Sequence, residues 1–383
     1  LLAYDGWSTG RRHQTVYRNA RREKVAYAIH LSIRLYPTPK QEEKMNRTLD
    51  LCRMLYNTAK QQRELAYKQF GTSIFYSMQQ KELPVLKREF PEYKEVHSQV
   101  LQDCLQRLDD AYQRFFRKEA GYPRYKSKDR YASFTYPQPG AVKKGYVYLP
   151  KIGFVRMKIH REFDGCHVTQ LNVKRYADQW VVNITVKGEE IEMTSSIERM
   201  VGIDVGLNTF AALSDETTIE NPRYLRKAEK RLKRYQRRLS RKQKGSRNRE
   251  RAKRKVAKAY RKVTRQRKDF LHKQSFRMVR DYDLIAVEQL KIRNMIQSRR
   301  LAKSIADAGW RKFITYLSYK AGRQGKRLVE VPANGTSQTC LCGTEVIKTL
   351  AIRIHTCSVC GLMQNRDIVS AKIILQRALG MIA

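Results

Sequence analysis

The stretch "RYLRKAEKRLKRYQRRLSRKQKGSRNRERAKRKVAKAYRKVTRQRK" (223–268) sets the hardest constraint, with 24 Lys or Arg against two acids, Glu229 and Glu250. Charge at that density cannot enter a core. Leu225, Leu232 and Leu239 recur every seven residues, Val256, Ala259 and Val263 continue an apolar stripe, and Gly245-Ser246 separates the two runs. The pattern predicts a helical hairpin within 221–270, joined along a narrow apolar seam, with basic outer faces. With so few acids to pair with, those faces fit phosphate. Arg231, Arg234, Arg238, Arg241, Lys242, Arg254 and Arg261 are the candidate RNA or DNA backbone contacts.

The whole chain of 383 residues carries a formal net charge of +43. Self-repulsion at that charge works against a compact monomer, and a polyanion relieves it. The chain is 41% hydrophobic and 10% aromatic, enough to build packed cores over two or three domains. No run of about 18 apolar residues offers a membrane span, and no signal-peptide pattern is present. Nucleic acid is therefore the expected partner, membrane is not, and the expected location is the cytoplasm, at the nucleoid of a prokaryotic host.

Residues 1–25 read as a flexible basic arm. "AYAIHLSIRLYP" (26–37) alternates as a strand does, and Thr38-Pro39 opens a helix. Met45, Leu49, Cys52, Leu55, Tyr56 and Ala59 mark that helix's buried stripe. Further helices are predicted over Met78–Arg88 and His97–Lys118, so 38–120 forms a small bundle. Residues 121–198 turn to Tyr, Val, Gly and Pro in short alternating runs, as in antiparallel β structure, so the bundle interrupts a β-rich domain. Tyr122, Tyr125, Tyr131, Phe134 and Tyr136 sit among cations there. They fit either core packing or base stacking.

From residue 199 the order is strand, strand, basic helices, strand, helix, strand, cysteine region, helix. That is the order of a ribonuclease-H-like α/β sheet. It carries Asp204 on its first strand, Glu288 at the end of "YDLIAVEQL" and Asp367 at a helix start. Strand ends of such a sheet can gather distant acids. Three gathered carboxylates repel one another unless a cation joins them. Two Mg²⁺ ions held by carboxylate oxygens would suit phosphodiester hydrolysis. Taken singly, Asp367 could equally cap its helix. Among seven cysteines, Cys52, Cys104 and Cys166 are isolated and read as core, whereas Cys340, Cys342, Cys357 and Cys360 cluster as a metal site.

The motifs "GIDVGLNTFAALSD", "IAVEQL", "SRRLAKSIADAGWRKF", "TSQTCLCG" and "HTCSVCGLMQNRDIVSAKIIL", with "RLYPTPKQEEKMNRTLDLCRMLYN" near the start, resemble the transposon-encoded TnpB (OrfB) family, relatives of compact type V CRISPR effectors. The resemblance runs from about residue 26 to 376. It implies a multidomain α+β chain. A β-barrel wedge domain (26–37 and 121–198) would be interrupted by a helical recognition insert (38–120). A RuvC-like nuclease domain (199–337 and 363–383) would follow, with a zinc-ribbon insert (338–362). It implies an RNA-guided DNA endonuclease whose metal-binding triad is Asp204, Glu288 and Asp367, with Arg353 near the scissile phosphate. The implied partners are a guide RNA and a double-stranded DNA target, with one protein per RNA. Tyr76, Ser77, Gln80, Lys81 and Gln102 would read a short DNA motif flanking the target. Structural Zn²⁺ on Cys340, Cys342, Cys357 and Cys360 is the first expectation for the ribbon. A site drawing in His355, or a ribbon without metal, stays open, because "TCLCG" is a CxC where the family usually has CxxC. Ser370 or Ile373 stands where the family often has Asn. An RNA-guided repressor without cleavage, a guide-independent nuclease and a strand-joining transposase are the alternative readings.

Overall fold

The computed structural model describes residues 24–25, 28–143, 145–159, 167–176, 179–187, 191–192, 196–298, 300–349 and 352–382. Residues 1–23 of the expected arm and Cys166 lie outside the described residues. The chain divides into two compact units, 28–189 and 1–27 with 190–383. Among the described residues no helix is long and apolar enough to cross a membrane.

In the second of these units a short ladder joins β1 (Lys24–Val25) to β9 (Ile191–Glu192). The 28–189 unit starts with β2 (Ala28–Tyr36) and then α1 (Pro39–Phe70). A capping box explains where the helix begins: the Gln41 amide donates to the Thr38 hydroxyl, and the Gln41 side chain accepts from the Thr38 amide at 3.0 Å. Gly71, with φ at 62°, closes it. The helix predicted over Met78–Arg88 is instead two, α2 (Tyr76–Lys81) and α3 (Leu83–Glu89). Pro84 has no N–H to continue a helix from α2 and sits in the first turn of α3 instead. A 3-10 turn (Pro91–Glu95) leads to α4 (Ser98–Phe116), which packs on α1 through Val100, Leu101, Cys104, Leu105 and Leu108. Cys52 and Cys104 are buried where these helices meet, as core residues should be.

The strands β3 (Ser133–Tyr136), β4 (Val142–Lys143), β5 (Tyr146–Leu149), β6 (Gly153–Met157), β7 (His167–Tyr176) and β8 (Gln179–Lys187) join β2 in one antiparallel sheet. Its order is β3-β7-β8-β2-β6-β5-β4. The core face of β8 carries Trp180, Val182, Ile184 and Val186, all buried, and the neighbouring Val181 is buried as well. Tyr131, Phe134 and Tyr136 lie in this core. Tyr122 and Tyr125 are half exposed but already engaged, with both hydroxyls on Glu64 and the Tyr125 ring 3.9 Å from the Lys60 ammonium. All five aromatics therefore have structural work.

The 190–383 unit is built on a five-stranded sheet of β10 (Met200–Val205), β11 (Thr209–Leu213), β12 (Thr218–Glu220), β13 (Leu284–Gln289) and β14 (Arg327–Pro332), in the order β12-β11-β10-β13-β14. β10, β13 and β14 run parallel, and β11 and β12 are antiparallel to their neighbours. The basic stretch folds as α5 (Tyr224–Ser240) and α6 (Arg247–Asp281), closed along Ala228, Leu232, Ala259 and Val263. α6 runs well past residue 270, because Leu271, Met278 and Val279 switch its apolar face from the hairpin seam to the sheet. After α7 (Ile292–Met295) and α8 (Ala302–Ala308), α9 (Trp310–Arg323) covers the same sheet face with Trp310, Phe313 and Leu317. A small ladder of β15 (Ile354–Thr356) and β16 (Met363–Asn365) then leads into α10 (Arg366–Ile382) on the opposite face.

Candidate active site

Strand parity decides where the acids point. Val201, Ile203, Ile285 and Val287 pack toward α6 and α9, whereas Leu284 and Ala286 pack with Ile374 and Ala378 of α10. Asp204 and Glu288 have the parity of the α10 face. The parallel ladder pairs Ile203 with Val287, so the next residues, Asp204 and Glu288, sit side by side at the carboxyl ends of adjacent strands. α10 begins at that end. Asn365 accepts the Asp367 amide at 2.9 Å and so fixes the helix start. Gly202 sets how closely α10 approaches: a Cβ there would lie 2.0 Å from the Ala371 carbonyl oxygen.

The electrostatics follow from this crowding. Burial pushes the Asp204 carboxyl well above the usual carboxylate range, the charges of Glu288 and Asp367 push it further, and Arg366 opposes them. Burial also raises Glu288, against the pull of the Thr336 hydroxyl and Arg377. The three carboxylates do not close on one point. Among the described residues, the group whose ligand atoms all lie within 4.8 Å is Cys340, Cys342, Cys357 and Cys360. Raised carboxyls in an open cluster fit a cation held by several oxygens. Arg353 has its side chain exposed, and its carbonyl accepts the Arg366 amide, one residue before Asp367, at 2.8 Å.

The four cysteines come together despite the CxC spacing. Cys340 Sγ lies 3.6 Å from Cys360 Sγ, and Cys342 Sγ lies 3.7 Å from Cys357 Sγ. Zinc–sulfur bonds of about 2.3 Å at tetrahedral angles require sulfurs about 3.8 Å apart, so the set fits. The second loop turns as expected, with the Gly361 amide on the Cys357 carbonyl at 3.0 Å. The first makes the same closure one residue sooner, with Gly343 on Cys340 at 2.9 Å and φ at 88°. Glycine permits that tighter turn. The Thr344 hydroxyl and amide beside the Cys342 sulfur pull its thiol down to about 6. His355 is buried beside Lys348, outside the group of four.

At the base of the hairpin, Asp307 accepts the Leu225 amide at 3.0 Å and the Arg267 guanidinium at 2.6 Å. Arg231 and Arg234 line an open groove of about 600 Å³ with Lys227, Lys230, Lys262, Tyr224 and Gln266. Arg238, Arg241, Lys242 and Arg254 are exposed farther out, and Arg261 is half buried. Tyr76, Ser77, Gln80 and Lys81 share the short α2, which packs on α4, the helix that carries Gln102. What anchors α2 is Gln79, buried against Ala59, Gln62 and Arg63. The residues unforeseen at the acid site are Gly202, Thr336, Arg366 and Arg377, which act through contacts that leave no periodic mark. Only Arg366 had a signal, its place beside Asp367.

Comparison with known proteins places this arrangement. A Streptomyces pristinaespiralis protein described as "Putative RNA-guided DNA endonuclease" is 34% identical over 90% of this chain and 88% of its own length. The chain belongs to the TnpB (OrfB) family. The Escherichia coli K12 protein "Putative RNA-guided DNA endonuclease InsQ" is 32% identical over 89% of this chain and 90% of its own. The OrfB family model described as "Probable transposase" matches residues 183–299, and "Cas12f1-like, TNB domain" matches 310–374. A solved Cas12f1-sgRNA-target DNA complex aligns over 91% of this chain and 98% of its own at 14% identity, with a TM-score of 0.36. That score is too low to carry a shared fold. A third family model, "Helix-turn-helix domain", matches residues 29–72. In this TnpB-family chain that span holds β2 and the unbroken 32-residue α1, with no turn inside it.

Proposed function

We propose that this chain is an RNA-guided DNA endonuclease that hydrolyses phosphodiesters at a RuvC-like site made by Asp204, Glu288 and Asp367. The observation that carries the reading is the register of Asp204 and Glu288 on neighbouring parallel strands, facing the helix that starts at Asp367. Two Mg²⁺ ions, when bound, would supply an activated water and stabilise the leaving oxygen. The chain's own part is to hold three carboxylates together against their repulsion, with Arg366 beside them and Arg353 for the phosphate. Cys340, Cys342, Cys357 and Cys360 would hold a structural Zn²⁺.

The relatives' descriptions as RNA-guided DNA endonucleases support a guide RNA and a DNA target as partners. In this reading the target is double-stranded and each RNA takes one protein. Base pairing would read the target, as in other guided effectors. In this reading the 28–189 unit is a β-barrel wedge with a helical recognition insert. Tyr76, Ser77, Gln80, Lys81 and Gln102 contact the flanking DNA motif, and the groove of Arg231 and Arg234 takes nucleic-acid backbone. The test is to sequence the RNA that copurifies with the full chain, then incubate the complex with matched labelled DNA and Mg²⁺. One defined RNA and guide-dependent cuts are expected. Random RNA fragments, or bound but intact DNA, would overturn the reading, the latter in favour of a repressor.

A further inference from the structure

Glu288, one residue before the end of β13, has one oxygen already taken. Thr336, which is 3% exposed, donates its hydroxyl to Glu288 Oε1. Thr336 sits in the loop that leaves β14 after Pro332 and runs into Cys340. That loop is itself held from above. Arg377 of α10 donates to the carbonyl of Asn334 at 2.6 Å and to that of Pro332 at 3.3 Å, and its other nitrogen lies 3.5 Å from the Thr339 hydroxyl. Inside the loop, the Thr339 amide and hydroxyl both return to the Gly335 carbonyl, at 3.0 Å and 2.8 Å. Gly335 has φ at 74°, which this turn requires.

We propose that Thr336 is a positioning residue for Glu288: it holds one carboxylate oxygen so that the other faces Asp204 and the divalent cation, and Arg377 holds Thr336 in place. The inference rests on the nuclease reading above. The physical need is plain. The last torsion of a glutamate is broad and two-fold, so an untethered carboxylate samples many orientations. A metal ligand gains from a fixed one, and losing an outer hydrogen-bond partner of a ligand costs about 10–100-fold in metal affinity or activity. The same loop runs directly into Cys340. The cysteine group and the acid cluster therefore share one short tether, Glu288 to Thr336 to Thr339 to Cys340.

The test uses the full chain and Mn²⁺ as the probe, followed by electron paramagnetic resonance. The binding counted is the part lost in Glu288→Gln. Thr336→Val keeps the shape and removes the hydroxyl, and should weaken that binding about tenfold or more. It should also raise by a similar factor the Mg²⁺ needed for half-maximal cleavage, with guided DNA binding unchanged. Thr336→Ser restores the hydroxyl and should restore both. Mn²⁺ binding unchanged in Thr336→Val, or equally weak in the Val and Ser variants, overturns the proposal. If Thr336→Val does not fold, Arg377→Gln loosens the same loop and should weaken Mn²⁺ binding in the same direction; no change there overturns it equally. Should the wild type bind Mn²⁺ at Glu288 in this Thr336-dependent way but cut no DNA, the positioning role stands and only the nuclease reading falls.

Discussion

The cysteine group and the acid cluster are joined by the loop from Thr336 to Cys340, yet they are built on opposite principles. The four sulfurs all lie within 4.8 Å of one another, two pairs of them at 3.6 and 3.7 Å. The three carboxylates are gathered but not closed, and burial, with the charges of Glu288 and Asp367 added to it, raises Asp204. A closed thiolate set leaves no room for substrate and suits a structural role, whereas an open oxygen set leaves positions for water and phosphate. Under the proposed function, the difference would give chemistry to the acids and support to the cysteines.

The sharpest way to break this contrast is Asp204→Ala. Cleavage should fall on the order of a thousandfold or more in a single-turnover assay, since the site loses a metal ligand. Guided DNA binding should persist, and retained cleavage would remove Asp204 from the chemistry. Next in size is Cys357→Ser. It should cost the bound zinc, measured by elemental analysis, and expose 338–362 to protease. Through the Thr336 tether, cleavage should drop about 10–100-fold rather than vanish. A variant that keeps its zinc, or one with no cleavage at all, would blur the division between the two sites.

A smaller effect comes from pH. Asp204 and Glu288 titrate above their ordinary values in the folded chain. The fold therefore holds protons that the unfolded chain has released, and stability falls as pH rises from about 4 through the raised values. Asp204→Asn removes the repulsion. In chelator at pH 8 it should melt a few degrees above wild type, and near pH 4 the gap should close. Mg²⁺ should stabilise wild type at pH 8 and do little for the variant. Melting curves that ignore pH would mean that neither burial nor neighbouring charge raises these carboxyls. Smallest is Arg234→Ala in the hairpin groove. It should weaken RNA binding only a few-fold and flatten its dependence on salt by about one charge.

Much of this was readable in the residues, for reasons that can be named. Thr38-Pro39 announces α1 because a cap and a fixed φ act locally. The hairpin is legible because its seam repeats, and the acids because strand order brings them to one edge. What stayed hidden depends on partners remote in sequence. Nothing around Thr336 points to Glu288, 48 positions earlier. Arg377 is one cation among 79 Lys and Arg, and Gln79 looks like any polar helix residue until Arg63 closes on it. α6 outruns the expected end near 270 because its apolar face changes partner without changing period. "TCLCG" looked too short only while its glycine turn was unseen.

Gly202 carries no chemistry, yet the distance between two of the acids hangs on it. Its missing side chain is the slot in which the backbone of α10 rests. A single methyl group there would have to lift the helix, and with it Asp367, away from Asp204. The gauge of the gap between Asp204 and Asp367 is thus written as an empty space, and the gap can be widened without altering any residue that lines it.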